Sequence, residues 1–300
     1  MKLSAKSWDI IFVVFNTLFM LFIIIIMLYP FLNTLAISFN NALDSVKGGI
    51  YLWPRIFTLH NYYIIFKNSL LVSAFFNSVL RTVISTVGGL FICSVAGYVL
   101  SRKEFFAAKF VTAFFVLTMY VSAGIIPQYF LYRSLGLINN FNVYWAPTLF
   151  SAFHVIVIRT FMSGLPDSLA EAARIDGAGE FRTYWQIILP ICKPVLATVG
   201  LWIAVGNWND WFTSFIFASK DQFTTLQYEL MKILSSSMAQ MSGQDSSALA
   251  AQYASGARDT ITPQAIRSTI TIVAAVPILC VYPFLQKHFV KGVHVGSVKG

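Results

Sequence analysis

Charge is what this sequence lacks most. Of its 300 residues only 11% are Asp, Glu, Lys or Arg, while 57% are hydrophobic and the mean hydropathy is +0.70. Soluble domains carry about 25% charged and about 45–50% apolar residues. A chain this poor in charge cannot cover a soluble surface, so a soluble enzyme is excluded. Cysteine is scarce as well: Cys93, Cys192 and Cys280 stand in or beside apolar stretches without paired spacing. That excludes a disulfide framework and a cysteine-based zinc site. The histidines, His60, His154, His288 and His294, form no metal-like cluster. No G-x-x-x-x-G-K-S/T phosphate loop occurs, so the chain is not expected to bind or hydrolyse ATP. No internal repeat is visible, and the only low-complexity tract is serine, at Ser235–Ser237 and Ser246-Ser247. Disorder is excluded by an aromatic content of 16%.

What is present is apolar length. A membrane-spanning helix needs about 20 mostly apolar residues. Six stretches qualify, at about 10–28, 82–100, 110–132, 143–161, 195–217 and 268–286. The first follows a basic start but is too long for a signal-peptide core and has no Ala-x-Ala cleavage site, so it reads as a retained anchor. Tyr29-Pro30 is expected to end it. The last carries Pro277 and Pro283, which membrane helices tolerate when neighbours satisfy the freed carbonyls. Gly88, Gly89, Ala96 and Gly97 in the second suit close helix packing.

The net charge of +9 does not point to nucleic acid, because Lys and Arg sit in short clusters between the apolar runs. Six spans put both termini on one side. With the termini in the cytoplasm, the inner segments 1–9, 101–109, 159–194 and 287–300 hold twelve of the 21 Lys and Arg. The longer outer segments, 31–81, 133–142 and 218–267, hold the other nine. The basic excess favours N-in, C-in. Segment 31–81, with Tyr62-Tyr63 and Phe75-Phe76, is expected to carry interfacial helices, and 218–267 to be a polar external loop.

The segment 163–190 between the fourth and fifth spans stands apart. Ser168 followed three residues later by Glu171 is a capping-box pattern. Leu169 to Asp176 are mostly good helix formers, and Gly177 can take a left-handed C-cap. A second helix is expected from about Glu180 to Leu189, stopping before Pro190, with Pro194 in the first turn of the next span. Two short helices around a glycine elbow should therefore stand on the cytoplasmic face.

Glu171-Ala172-Ala173, then Asp176-Gly177-Ala178, then Ile188-Leu189-Pro190, closely resembles the EAA signature of permease subunits of binding-protein-dependent ABC importers. Asn77-Ser78, Ser122 to Pro127, Arg159-Thr160-Phe161, Trp208 to Trp211 and the tail Phe289 to Gly292 resemble the maltose-type, sugar-importing branch. The nearest look is to its complex-oligosaccharide, LplC-like members. The resemblance covers nearly the whole chain and is weakest over 232–262. It implies an all-α membrane protein with the type I ABC importer permease fold, forming one domain. It implies a non-catalytic subunit that pairs with a second permease to enclose the path of a sugar or oligosaccharide. It also implies two cytoplasmic ATP-binding subunits, which use ATP and Mg, and an extracytoplasmic solute-binding protein or lipoprotein. This chain itself would bind no cofactor. Glu171, Ala172, Ala173, Asp176, Gly177 and Ala178 would dock into the ATPase, in a bacterial cell membrane.

A sugar path needs polar groups for orientation and aromatic faces for stacking. The fifth span offers Trp202, Asn207, Trp208, Asn209, Asp210 and Trp211. Polar groups in a span face the bundle interior or a cavity. Asn207 and Trp211 are four apart and should share one face, Trp202 and Asn209, seven apart, another. A belt role for the tryptophans, or an arginine partner for Asp210, is the plainer alternative. An ion-coupled secondary transporter would usually show several mid-membrane acids or histidines and an inverted repeat. Here Asp210 is the one firm intramembrane acid, and a membrane enzyme lacks an H-E-x-x-H or other convincing centre.

Overall fold

The computed structural model describes residues 5–243 and 262–296, and the described residues are helical apart from connections and one isolated antiparallel bridge, Asn40 to Phe57. The chain divides into two compact units, residues 1–69 with 232–275, and residues 70–231 with 276–300.

The first unit opens with α1 (Ala5–Ser38), apolar over Trp8–Ser38 and exposed along most of its length, with Ala36 and Ser38 buried near its end. The expected stop at Tyr29-Pro30 does not occur. Pro30 lies inside the helix, and Thr34 Oγ1 donates to its carbonyl at 2.8 Å. A helix tolerates such a proline where neighbouring groups and Ser or Thr hydroxyls satisfy the backbone around it. Two short helices follow, α2 (Ala42–Val46) and α3 (His60–Lys67), in the segment expected to hold interfacial helices. Asn41 caps α2 by accepting from the N–H groups of Leu43 and Asp44. Buried Asn40 donates to Asp44 Oδ2 and Ser45 Oγ, and Arg55 Nε reaches the same carboxylate at 2.9 Å. Asn61 donates to the carbonyls of Ser38 and Asn40. These bonds satisfy a non-helical backbone that has few apolar contacts to hold it.

The second unit is organised around α4 (Ser69–Ser101), which is a full 33 residues and begins well before the expected span. The third stretch is not one straight span. α5 (Ala108–Tyr120) and α6 (Ile125–Ser134) meet at 115°, with Val121 extended and Gly124 at φ 80°. The fourth stretch starts with two 3-10 turns over 141–148 before α7 (Ala152–Ser163). After the loop helices comes α10 (Lys193–Asn209), which breaks at Asp210-Trp211 and resumes as α11 (Phe212–Phe217). The segment expected to be a polar loop instead contains α12 (Leu226–Gly243), while residues 244–261 of it lie outside the described part. The last helix, α13 (Pro263–Gly296), passes through both prolines.

Packing in this unit uses the small residues. A Cβ on Gly88 would lie 2.5 Å from Leu149 Cδ2, and one on Gly97 would meet Ile158 Cγ2 at 3.0 Å and the Arg159 backbone nitrogen at 3.2 Å. α4 thus touches the fourth stretch backbone to side chain, the close approach that small residues permit without a hydrophobic drive. Val155, Ile158, Tyr184, Ile188, Val199 and Ile203 complete a buried cluster with Cys93 and Tyr98. Among the described residues, three helices are long and apolar enough to cross a membrane, or up to five if each bent pair counts as one.

Candidate functional site

The loop after α7 forms the elbow. α8 (Ser168–Ile175) buries Ala170 and Ala173 and turns Glu171 and Ala172 outward, with Ile175 86% exposed. The capping box is not made. No side chain caps the helix; Asp167 occupies the capping position in helical conformation and its carboxylate pairs with Lys103 instead. That pairing holds the Asp167 carboxyl below its usual range. Backbone bonds of Leu169 to Pro166 and Ala170 to Asp167 close the first turn.

The C-terminal end of α8 forms as the residues require. Gly177 has φ +75°, Gly177 N–H donates to Arg174 O, and Ala178 N–H donates to Ala173 O. This is a Schellman motif, whose left-handed position suits glycine. Glu180 then opens α9 (Glu180–Ile191), which does not stop before Pro190. Residues Tyr184–Ile188 adopt a π turn, and Cys192 N–H returns to Ile188 O. Proline supplies no N–H, and widening the preceding turn shifts the bonding register past it. α9 meets α10 at 81°, with Pro194 in the first turn of α10 as expected.

Arg174 fixes the elbow. Its Nη2 lies 2.7 Å from Glu104 Oε1 and 3.0 Å from Glu180 Oε1, tying α8 to α9 and to the connection after α4. A backbone bond within Glu104 and the Arg174 guanidinium hold the Glu104 carboxyl below its usual range. Tyr98 OH donates to Glu180 Oε2 at 2.7 Å, and the Arg102 guanidinium lies 4.2 Å from the Tyr98 ring centre. Two apolar groups of this braced element are exposed, Ile175 one turn after Glu171 and Phe181 stacked on Trp185. Arg174, Ile175 and Phe181 were not singled out from sequence. An Ile and a Phe flanking a glycine elbow in a polar loop are the signal that was available.

The six polar and aromatic residues of the fifth span separate into two groups. Trp202 is 42% exposed and packs beside Phe153 and His154, with ring centres at 5.5 and 6.4 Å. Gly206 and Asn209 are exposed on the same side, one and two turns further on. Asn207 and Trp208 point the other way and are buried, Trp208 edge-on to Phe75 at 6.1 Å. Asn207 Nδ2 bonds to Ile203 O, and its buried Oδ1 has no partner among the described residues. Trp211 follows the helix break, so it does not continue the face of Asn207, and it packs against Phe212 and Phe215.

Asp210 sits in that break. Arg81, 1% exposed, donates through Nη2 to Asp210 Oδ2 at 2.6 Å and through Nη1 to Asp210 O at 2.8 Å. Asp210 Oδ1 accepts from Thr213 N–H at the start of α11, and the guanidinium lies 4.5 Å from the Tyr144 ring centre. The arginine alternative for Asp210 is thus the one realised. Tyr144 OH continues the network to Ser214 Oγ and Phe223 O, and Ser214 continues it to Thr225.

No protein-family profile matches the chain. Curated proteins do. The polygalacturonan/rhamnogalacturonan transport system permease protein YtcP of Bacillus subtilis is 34% identical over 285 residues, covering 94% of this chain and 96% of its own. Protein LplC of the same organism is 34% identical over 294 residues, covering 97% and 95%. The maltodextrin transport system permease protein MdxG of B. subtilis is 29% identical over 294 residues, covering 94% and 95%. Among solved structures, a chain of a bacterial ABC transporter involved in the import of the acidic polysaccharide alginate superposes with a TM-score of 0.83 at 24% identity, covering 96% of this chain and all of that one. The fold is therefore that of an ABC importer permease. With relatives at 34% identity over nearly their whole lengths, the chain belongs to the family of permease subunits of ABC sugar-transport systems.

Proposed function

We propose that this chain is one of two permeases that together enclose an oligosaccharide path, with the elbow over α8 and α9 transmitting ATPase movement into α10. Membership in the family sets the ion-coupled alternative aside. The observation that carries the coupling role is the braced elbow itself. A left-handed glycine and the clasp of Arg174 on the two carboxylates of Glu104 and Glu180 make α8 and α9 one stiff piece, and exposed Ile175 and Phe181 give it apolar outer groups. An apolar tip rimmed by polar groups is the profile of a docking surface. α9 leads directly into α10 at a bend, so displacement of the tip moves the span as a rigid lever.

In this reading the chain spans a bacterial cytoplasmic membrane six times, termini inside, counting the bent pairs as single spans and α13 as the sixth. ATP and Mg belong to the two ATPase subunits, and a binding protein delivers the sugar from outside. The path side of α10 is Trp202, Gly206 and Asn209, with Phe153 and His154 extending it. Stacking area and an amide beside a glycine gap are what a sugar ring uses. Asp210, Trp208, Asn207 and Trp211 hold the wall from behind.

The test is uptake by proteoliposomes containing both permeases, the ATPase and a labelled oligosaccharide panel. Uptake should require internal ATP and persist when ion gradients are collapsed. Trp202→Ala should lower it by about tenfold, the loss of roughly one stacking contact's worth of binding, and Gly206→Trp should lower it by filling the gap beside Asn209, both with assembly intact. Unchanged uptake in both would remove this face of α10 from the path.

A further inference from the structure

A cavity of about 510 Å³ opens where α4 ends, where α5 begins and where α7 runs out, reaching the base of the elbow at Asp167 and Ile188. Its walls carry four cations, Arg102, Lys103, Lys109 and Arg159, against one carboxylate, Asp167. Lys103 is engaged by Asp167. Neither Lys109 nor Arg159 has a carboxylate partner among the described residues, and Arg159 Nε is spent on Leu100 O at 3.0 Å. Arg102 Nε is buried with no partner. The lining thus carries three more positive than negative charges around a space for roughly 17 waters at liquid density, a potential that favours entry of an anion. Two of the lining side chains are aromatic, Phe105 and Phe106, and Phe106 is 96% exposed. A free phosphate has no use for these rings, whereas a lipid carries acyl chains for them beneath a charged headgroup.

We infer that this cavity binds the phosphate-bearing headgroup of an anionic phospholipid of the cytoplasmic leaflet, with Phe105 and Phe106 against its acyl chains. Juxtamembrane cations between helices are the setting in which such headgroups bind. Because the cavity joins α4, α7 and the Asp167 that precedes α8, an occupied site would tie lipid composition to the base of the elbow. The leaflet assignment rests on the N-in, C-in reading.

The test is native mass spectrometry of the assembled complex in detergent, with phosphatidylglycerol, phosphatidylcholine of the same acyl chains, or inorganic phosphate at equal concentration. One phosphatidylglycerol per copy should be retained and phosphatidylcholine should not. Lys109→Gln, at an exposed position, should weaken retention roughly fivefold, and the Lys109→Gln/Arg159→Gln pair about thirtyfold. Lys193→Gln, outside the cavity, should change nothing. Equal retention of the two lipids, or insensitivity to Lys109→Gln, would overturn the proposal. Displacement by inorganic phosphate alone would make it a free-anion site, and loss of lipid whenever the ATPase is bound would make it a subunit interface; either overturns the lipid assignment. Orientation is read separately, by impermeant maleimide labelling of Ser163→Cys in intact cells with Cys280 replaced by serine. Labelling from outside would overturn the leaflet while leaving headgroup binding to stand or fall on the mass spectra.

Discussion

Arg81 shows how much one buried side chain can decide. Its guanidinium is spent on Asp210, both the carboxylate and the carbonyl, and on the Tyr144 ring. Asp210 in turn caps α11. The break in the fifth span is therefore held open by a charge pair, not by a glycine or proline. Removing one partner of a buried pair leaves the other charge uncompensated and costs about 3–5 kcal/mol, whereas replacing both by apolar groups can be neutral. Since Asp210 is partly exposed, we expect the lower end, on the order of 3 kcal/mol, for Asp210→Ala, read as a lower Tm of the purified complex. Arg81→Met with Asp210→Leu should recover most of it. A double variant no more stable than Asp210→Ala would show that the pair's geometry, not its uncompensated charge, holds the break. The sequence marks Asp210 as unusual but not its partner, because Arg81 lies 129 residues away at the edge of an apolar run. The same limit applies to Asp167. Local spacing made Ser168 and Glu171 a capping box, but the structure supplies Lys103 from another connection. Gly177 was legible because its role depends only on its neighbours in sequence.

At the scale of elements, apolar length marked stretches that are helical in the structure and missed how they bend. From Phe110 on, α5 and α6 form an apolar run with no charge before Arg133, and hydropathy does not register the turn of Val121 to Gly124. α9 likewise runs past Pro190 because a π turn absorbs the missing donor, an adjustment that a helix-stop rule does not contain. Small residues were better guides. Gly97→Val would put new atoms onto Ile158 and the Arg159 backbone, and overpacking of this kind costs about 1–3 kcal/mol. Gly206→Ala should be neutral, because no other side chain lies within 4 Å of its Cβ position. A thermal-shift comparison of the two variants in the complex checks this. Equal Tm values would mean that α4 and α7 separate enough in the membrane to admit a methyl group.

Taken as a whole molecule, the chain is a permease of an ATP-driven sugar importer that offers no phosphate loop of its own, so energy has to arrive through a surface. α8 and α9 are the braced, outward-facing element available for that, and Gly177 is its pivot. Valine at φ +75° costs on the order of 1–3 kcal/mol of local strain. That is small beside the insertion of several apolar spans, so the protein should still reach the membrane. It is enough to misalign two short helices that share the Arg174 clasp. The most direct test is sugar-stimulated ATP hydrolysis by the reconstituted complex carrying Gly177→Val, measured alongside membrane abundance and co-purification of the ATPase. The account predicts normal abundance with stimulation lost or reduced at least tenfold. Normal abundance with wild-type co-purification and wild-type stimulation would contradict it, and the elbow would not be the coupling element.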